Sequence, residues 1–301
     1  MSAPRDPEEL GTTAEPAHAS IADATSVGVV HLTVADLARS LDYYRSAIGL
    51  AVLEHGASEA SLGAGARELL RLVEEPGASP SGSYTGLYHF ALLVPERVDL
   101  AAWLAHAARD SVGMTGMSDH FVSEALYLRD PDGHGIEIYW DRPRSGWEGQ
   151  VDQRLTTLPV DIDSILDELD DPATAGFEGL PDGTVMGHVH LKVAEIEETI
   201  RFYRDVLGFA LMAQLGSMAA FLSAGGYHHH LGANTWESAA APAPPAGSAA
   251  LRHATIVLPD AAERDRVVTR LEHAGVAVSD HGGEPLVRDP SENALVLAVP
   301  G

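Results

Sequence analysis

The chain of 301 residues contains no cysteine. Disulfides, thiolate metal sites and cysteine nucleophiles are therefore excluded, and any metal must be held by His, Asp or Glu. Lysine occurs once, at Lys192. With only 19 Lys+Arg against 44 Asp+Glu the formal charge is −25, which leaves no basic footprint for nucleic acid or an anionic membrane. Aromatics make up only 6 %. No apolar run approaches the ~18–20 residues of a membrane span, and the opening MSAPRDPEELGTTAEPAHAS lacks the charge-then-apolar order of a secretory signal. These absences point to a soluble, cytoplasmic, acidic protein. Apolar residues at 45 % are enough for a sizeable core, and the length suggests two domains.

What is present is a repeat. VVHLTVADLARSLDYYRSAIGLAV (29–52) returns as HVHLKVAEIEETIRFYRDVLGFAL (188–211), aligning His31 with His190, Tyr44 with Tyr203 and Gly49 with Gly208 at an offset of 159 residues. LYHFALLVPE from Leu87 matches LRHATIVLPD from Leu251, which sets His89 opposite His253, and Arg-Asp-Pro occurs at 129–131 and again at 288–290. Repeats decide architecture before any other pattern. In each copy an alternating strand is followed by a helical stripe, Leu37, Leu41, Tyr44 and Ile48 in the first. Asp36 stands where an N-cap belongs, and Gly49 where a left-handed residue ends the helix. Short glycine-punctuated strands follow, then a second strand, a helix over 100–108 and two more strands ending in GIEIYW. The pattern predicts an α+β fold of four βαβββ units, two per half. The expected divisions are a disordered acidic tail over 1–25, a first domain over 26–142, a Pro/Gly-rich acidic linker with one short helix over 143–183, and a second domain over 184–301.

Three metal-binding residue types recur at strand positions of the first half: His31, His89 and Glu137. Two imidazoles and a carboxylate on one face of a divalent ion leave open positions for substrate and dioxygen, an arrangement that suits Fe(II), with Mn(II) as the alternative. Each histidine on its own could equally be a half-buried side chain with no metal.

HxxxADLxRSLxYYRxxxGL, its repeat, and DPDGHGIE resemble the vicinal oxygen chelate superfamily. That superfamily includes glyoxalase I, the fosfomycin- and bleomycin-resistance proteins and the type I extradiol ring-cleavage dioxygenases. Four units in a chain of this length are similar to the dioxygenases in particular, as is the run His120, five residues, Leu126, Tyr127, two residues, Asp130, Pro131, Asp132, Gly133, three residues, Glu137. Ser118 departs from that motif, which usually has Gly, Asn, Thr or an aliphatic residue there. LYHFALLVP, GIEIYWDRP and GGYHHHLGANTW resemble a catechol 2,3-dioxygenase-like subgroup. The resemblance implies two tandem half-open β-barrel domains and an enzyme of aromatic compound catabolism that opens a small aromatic diol with O2, as a homo-oligomer. It implies that His31, His89 and Glu137 bind Fe(II), and that His120 and Tyr127 contact the diol and dioxygen. An imidazole or phenol there can take and return a hydroxyl proton and donate to charge as it develops.

The second half keeps His190 and His253 but has Val296 in place of Glu137 and Leu286 in place of Tyr127. It is expected to be a structural copy, with activity in the amino-terminal half, whereas many extradiol enzymes use the carboxyl-terminal half. His228, His229 and His230 are expected on a strand, His229 facing away from its neighbours. The family places an acid–base histidine on the comparable strand of its active half. Those three are thus either lent across an interface, structural, or a secondary metal site, and His188 shares a strand face with His190 and could join them. Two other functions stay open: a metal-dependent glyoxalase-type isomerase or transferase, and a metal-free small-molecule binding protein of the resistance type.

Overall fold

The computed structural model describes residues 20–300. It contains the four expected units. The first comprises β1 (Ser26–Val34), α1 (Leu37–Tyr43), β2 (Ala51–His55), β3 (Glu59–Ala64) and β4 (Arg67–Glu74), followed by the short β5 (Ser79–Pro80). The second comprises β6 (Gly86–Leu93), α2 (Arg97–Arg109), β7 (Gly116–Asp119), β8 (Ser123–Arg129) and β9 (Gly135–Asp141). Two short helices, α3 (Val151–Arg154) and α4 (Ile162–Leu166), lie between the halves. The third unit is β10 (Val185–Lys192), α5 (Ile196–Ile200), β11 (Ala210–Leu215), β12 (Ala219–Ser223) and β13 (Leu231–Asn234), followed by the short β14 (Ser248–Ala249). The fourth is β15 (Leu251–Val257), α6 (Ala261–His273), β16 (Ser279–His281), β17 (Glu284–Arg288) and β18 (Ala294–Ala298).

Local chemistry places the helices where the pattern predicts. Asp36 accepts the N–H of Arg39, an N-cap contact worth about 1 kcal/mol. The α1 helix widens into a π-turn over Tyr44–Ile48 and ends at Gly49, whose φ of 89° is left-handed and suits glycine. The tyrosine at the widening accounts for the Asp of the repeated Arg-Asp-Pro. Tyr44 donates its hydroxyl to Asp130, which also accepts the N–H groups of Asp132 and His134. Tyr203 does the same with Asp289. These carboxylates hold turns together, and each ties one unit's helix to a neighbouring unit.

The units form two eight-stranded sheets, and the way they pair was not visible in the repeat. One sheet runs β16-β17-β18-β15-β1-β4-β3-β2, the other β11-β12-β13-β10-β6-β9-β8-β7. The first unit therefore pairs with the fourth and the second with the third. Each half-barrel takes strands from both sides of the linker, so neither corresponds to 26–142 or 184–301 alone. At the seams β1 runs antiparallel to β15, with His31 opposite His253, and β10 runs antiparallel to β6, with His190 opposite His89. One apolar cluster extends through both sheets, including Leu32, Leu70, Phe90, Ile138, Val189 and Leu295.

Two expectations about the connecting segments need correction. Most of the expected tail lies outside the described residues, but Ile21 is buried and donates its N–H to the Gly208 carbonyl. The 143–183 segment, expected to hold one short helix, carries both α3 and α4 and packs against the first half: Trp147 is buried, and Phe177 stacks on His106 at a ring-centroid distance of 4.3 Å. Leu180 donates its N–H to Gly49. Apolar residues spaced through an acidic stretch supply anchors that its composition hides.

Candidate metal centre and cavity

Three buried donors converge at the seam between the second and third units. Nε2 of His89 (β6) lies 3.0 Å from Oε2 of Glu137 (β9), and Nε2 of His188 (β10) lies 3.2 Å from the same oxygen. The two imidazole nitrogens are 3.4 Å apart. Neighbouring ligands on an octahedral ion with bonds of about 2.1 Å sit about 3 Å apart, so these donors are spaced as one face of such a shell. Two imidazoles and a carboxylate are the donor set expected for a divalent first-row ion with open positions. Burial pushes the Glu137 carboxyl upward, but the charges and hydrogen bonds of His188 and His89 outweigh it and hold the group well below the usual carboxylate range. The carboxylate is thus ionised, as a ligand must be.

His31 is not part of this centre. It lies on the other sheet, stacked on His253 with ring centroids 3.9 Å apart. Burial, then the charges of His253 and Arg71, depress its pKa to about 3. The structure does not bring His31 together with His89 and Glu137 as expected, because the pairing of the units sets β10 rather than β1 beside β6. The donor from β10 is His188, not His190, the repeat counterpart of His31. The signal that could have found it is the His188–His190 pair on one strand face. The centre is consequently shared between the halves rather than confined to the amino-terminal one.

His120 and Tyr127 stand beside the centre as a linked pair. Nδ1 of His120 lies 2.7 Å from the Thr156 carbonyl oxygen, which can only accept, so that nitrogen carries the proton. Its Nε2 is then free to accept from the Tyr127 hydroxyl at 2.7 Å. Burial, then the charge of Glu137, raises the Tyr127 pKa well above normal and keeps the phenol protonated. The turn bearing His120 is braced on its flanks: Arg142 bonds both Asp119 and Glu124, and Asp119 accepts the N–H of Phe121. Thr156, from the segment expected to be a linker, thus fixes the tautomer of a site histidine.

A cavity of about 480 Å³ opens onto these groups, within the range of small-molecule sites. Its walls include His120, Tyr127, His190, His229, Phe221 and Trp236. The three consecutive histidines do not occupy a strand; they form a bend that leads into β13. In that bend the rings of His228 and His229 meet edge on, Nδ1 to Nδ1 at 2.8 Å, and His229 reaches the cavity wall. Gly187 gives this side of the sheet its close packing, since a β-carbon there would lie 1.8 Å from the Tyr139 hydroxyl.

Residues 26–138 and 185–297 each match the model of the Glyoxalase/Bleomycin resistance protein/Dioxygenase superfamily. The chain is 43 % identical over 286 residues to the catechol-2,3-dioxygenase of Bacillus subtilis (strain 168), covering 93 % of this chain and 99 % of that protein. A second relative, the iron-dependent extradiol dioxygenase of Rhodococcus jostii (strain RHA1), is 26 % identical over 48 % of each chain. Among solved structures, one from Bacillus subtilis subsp. subtilis str. 168 superposes with a TM-score of 0.64 at 16 % identity, covering 94 % of this chain and 87 % of that one. Glyoxalase I from Zea mays superposes with a TM-score of 0.54 at 17 % identity, covering 91 % and 92 %; at such identities these two speak for the fold. The chain belongs to the glyoxalase/bleomycin resistance/dioxygenase (vicinal oxygen chelate) superfamily. Within it, the chain is an extradiol ring-cleavage dioxygenase of the catechol 2,3-dioxygenase-like type. No helix among the described residues is long and apolar enough to cross a membrane.

Proposed function

We propose that the protein is an Fe(II)-dependent dioxygenase that opens a catechol-type ring beside its two hydroxyls, with His89, Glu137 and His188 as metal ligands. The observation that carries this reading is the convergence of those three donors, all buried, at the floor of a cavity that also holds the His120–Tyr127 pair. Bound there, the ion would supply positive charge that acidifies the diol's hydroxyls and open positions for diol and dioxygen. The chain's own groups do the remaining work. The Nε2 of His120, which accepts the hydrogen bond of Tyr127, can take a proton from a ligand hydroxyl that displaces it. The Tyr127 hydroxyl donates to an oxygen that gains charge, and burial keeps it protonated for that task. His229, from the third unit, is the second proton-handling group we assign to the cavity. Phe221, Leu215 and Trp236 provide apolar surface for the ring and exclude water. A cytoplasmic location belongs to this reading.

The similarity to a named catechol-2,3-dioxygenase over nearly the whole chain supports the substrate class. The test is to load the purified protein anaerobically with Fe(II), add catechols, admit air and follow the yellow ring-opened product. Colour that requires both iron and air is expected. Absence of product with every catechol tried, from protein that holds one iron per chain, would overturn the reading.

A further inference from the structure

Behind the cavity wall lies a polar network that the ligand set does not use. Oδ1 of Asp141 lies 2.9 Å from Nε2 of His228. The carboxylate can only accept, so His228 carries its proton on Nε2. The other carboxylate oxygen accepts the Tyr227 hydroxyl at 2.8 Å, and Tyr227 in turn accepts from Tyr139 at 2.8 Å. When His228 carries that single proton, its Nδ1 presents only a lone pair, and that atom lies 2.8 Å from Nδ1 of His229. Two lone pairs cannot face each other at that distance, so in that state His229 donates through Nδ1. Its Nε2 is left bare on a ring that lines the cavity and packs 4.2 Å, centroid to centroid, from the ligand His188. With His228 singly protonated, the remaining proton positions follow from the single carboxylate.

We propose that Asp141 and His228 are positioning residues: a carboxylate–imidazole pair that locks His229 in its Nδ1–H tautomer and presents its Nε2 lone pair to the cavity. In water an imidazole favours the opposite tautomer, which would offer the substrate a donor instead of an acceptor. His228 is fully buried and touches no substrate; it acts through His229. The proposal rests on the cavity being the site of ring cleavage, because only there does an acceptor for a diol hydroxyl serve the reaction. It also gives the consecutive histidines separate tasks: His228 orients and His229 faces the ligand. His230 stands apart, its Nδ1 accepting the N–H of Ala224.

The test is a two-bond 1H–15N correlation spectrum of the histidine rings, recorded on the full chain with diamagnetic Zn(II) added. The signals are assigned by their loss in His228→Gln and His229→Gln. Nδ1–H is expected for His229 and Nε2–H for His228. In Asp141→Asn the His229 pattern should shift toward Nε2–H, and in the iron-loaded enzyme kcat should fall roughly 10- to 100-fold, as for other partners that orient a site histidine, with KM changing less than about threefold. Tyr227→Phe keeps the carboxylate and should keep both tautomers. An Nε2–H tautomer for His229 in the unaltered protein would overturn the proposal, and that spectrum is readable even if Asp141→Asn fails to fold. An unchanged tautomer and kcat in a folded Asp141→Asn would overturn it too. Because the spectrum needs no turnover, failure of ring cleavage in the unaltered protein would strike the functional reading while the tautomers still decide the network.

Discussion

The two half-barrels share a plan and differ at a handful of positions on the seam and the concave face. Where the second and third units meet, the sheet offers His89, His188, Glu137, His120 and Tyr127. Where the first and fourth meet, the corresponding places hold His253, Val29, Val296, Ser279 and Leu286. The histidines that remain there, His31 and His253, stack on one another and have no carboxylate between them. Burial, then the charges of His281 and Arg252, lower the His253 pKa to about 4. Both sheets enclose apolar side chains fully, Leu32 and Leu70 in one and Phe90 and Ile138 in the other. Stability thus depends on the repeated pattern, whereas chemistry depends on a few substitutions that leave the packing alone.

Removing the carboxylate should have the largest effect. Glu137→Ala leaves two imidazoles, the same deficit as in the other sheet, and should lower metal affinity by ~100-fold or more and abolish turnover, as read by elemental analysis and a product assay. Tyr127→Phe should retain the metal, because the phenol is not a ligand, while kcat falls about 100-fold; single-turnover kinetics on iron-loaded protein would measure this. The converse experiment is to equip the silent sheet. Val29→His with Val296→Glu restores the missing donors beside His253, and the expected outcome is a second, weaker metal equivalent in titration calorimetry. The smallest effect concerns pH. His253 is buried neutral, so below about 6.5 the unfolded chain binds a proton that the folded chain refuses until about pH 4. Stability therefore falls as pH drops through that window, and His253→Gln should show a shallower decline of Tm between pH 7 and 4 in calorimetric scans.

Much of this arrangement was legible in the sequence. The 159-residue offset exposed the units; Asp36 and Gly49 marked the ends of α1; and the spacing from His120 through Tyr127 to Glu137 identified residues that the fold brings together with His89. The pairing of the units was not legible, because each opening strand carries the same apolar alternation and can meet any other at the seam. His31 was grouped with His89 and Glu137 for that reason: alignment maps it onto His190, whereas the imidazole that the fold sets beside them is His188, whose counterpart is an ordinary valine. The role of Thr156 was hidden because it acts through a backbone carbonyl, which no residue type announces.

The central claim is that one metal site is assembled from both halves of the chain, with His188 and not His31 as its second imidazole. Iron content of His188→Ala and His31→Ala, each folded and reconstituted anaerobically with Fe(II), tests this directly. The account predicts almost no bound iron in His188→Ala and about one per chain, as in the unaltered protein, in His31→Ala. Full iron in His188→Ala together with loss in His31→Ala would contradict it.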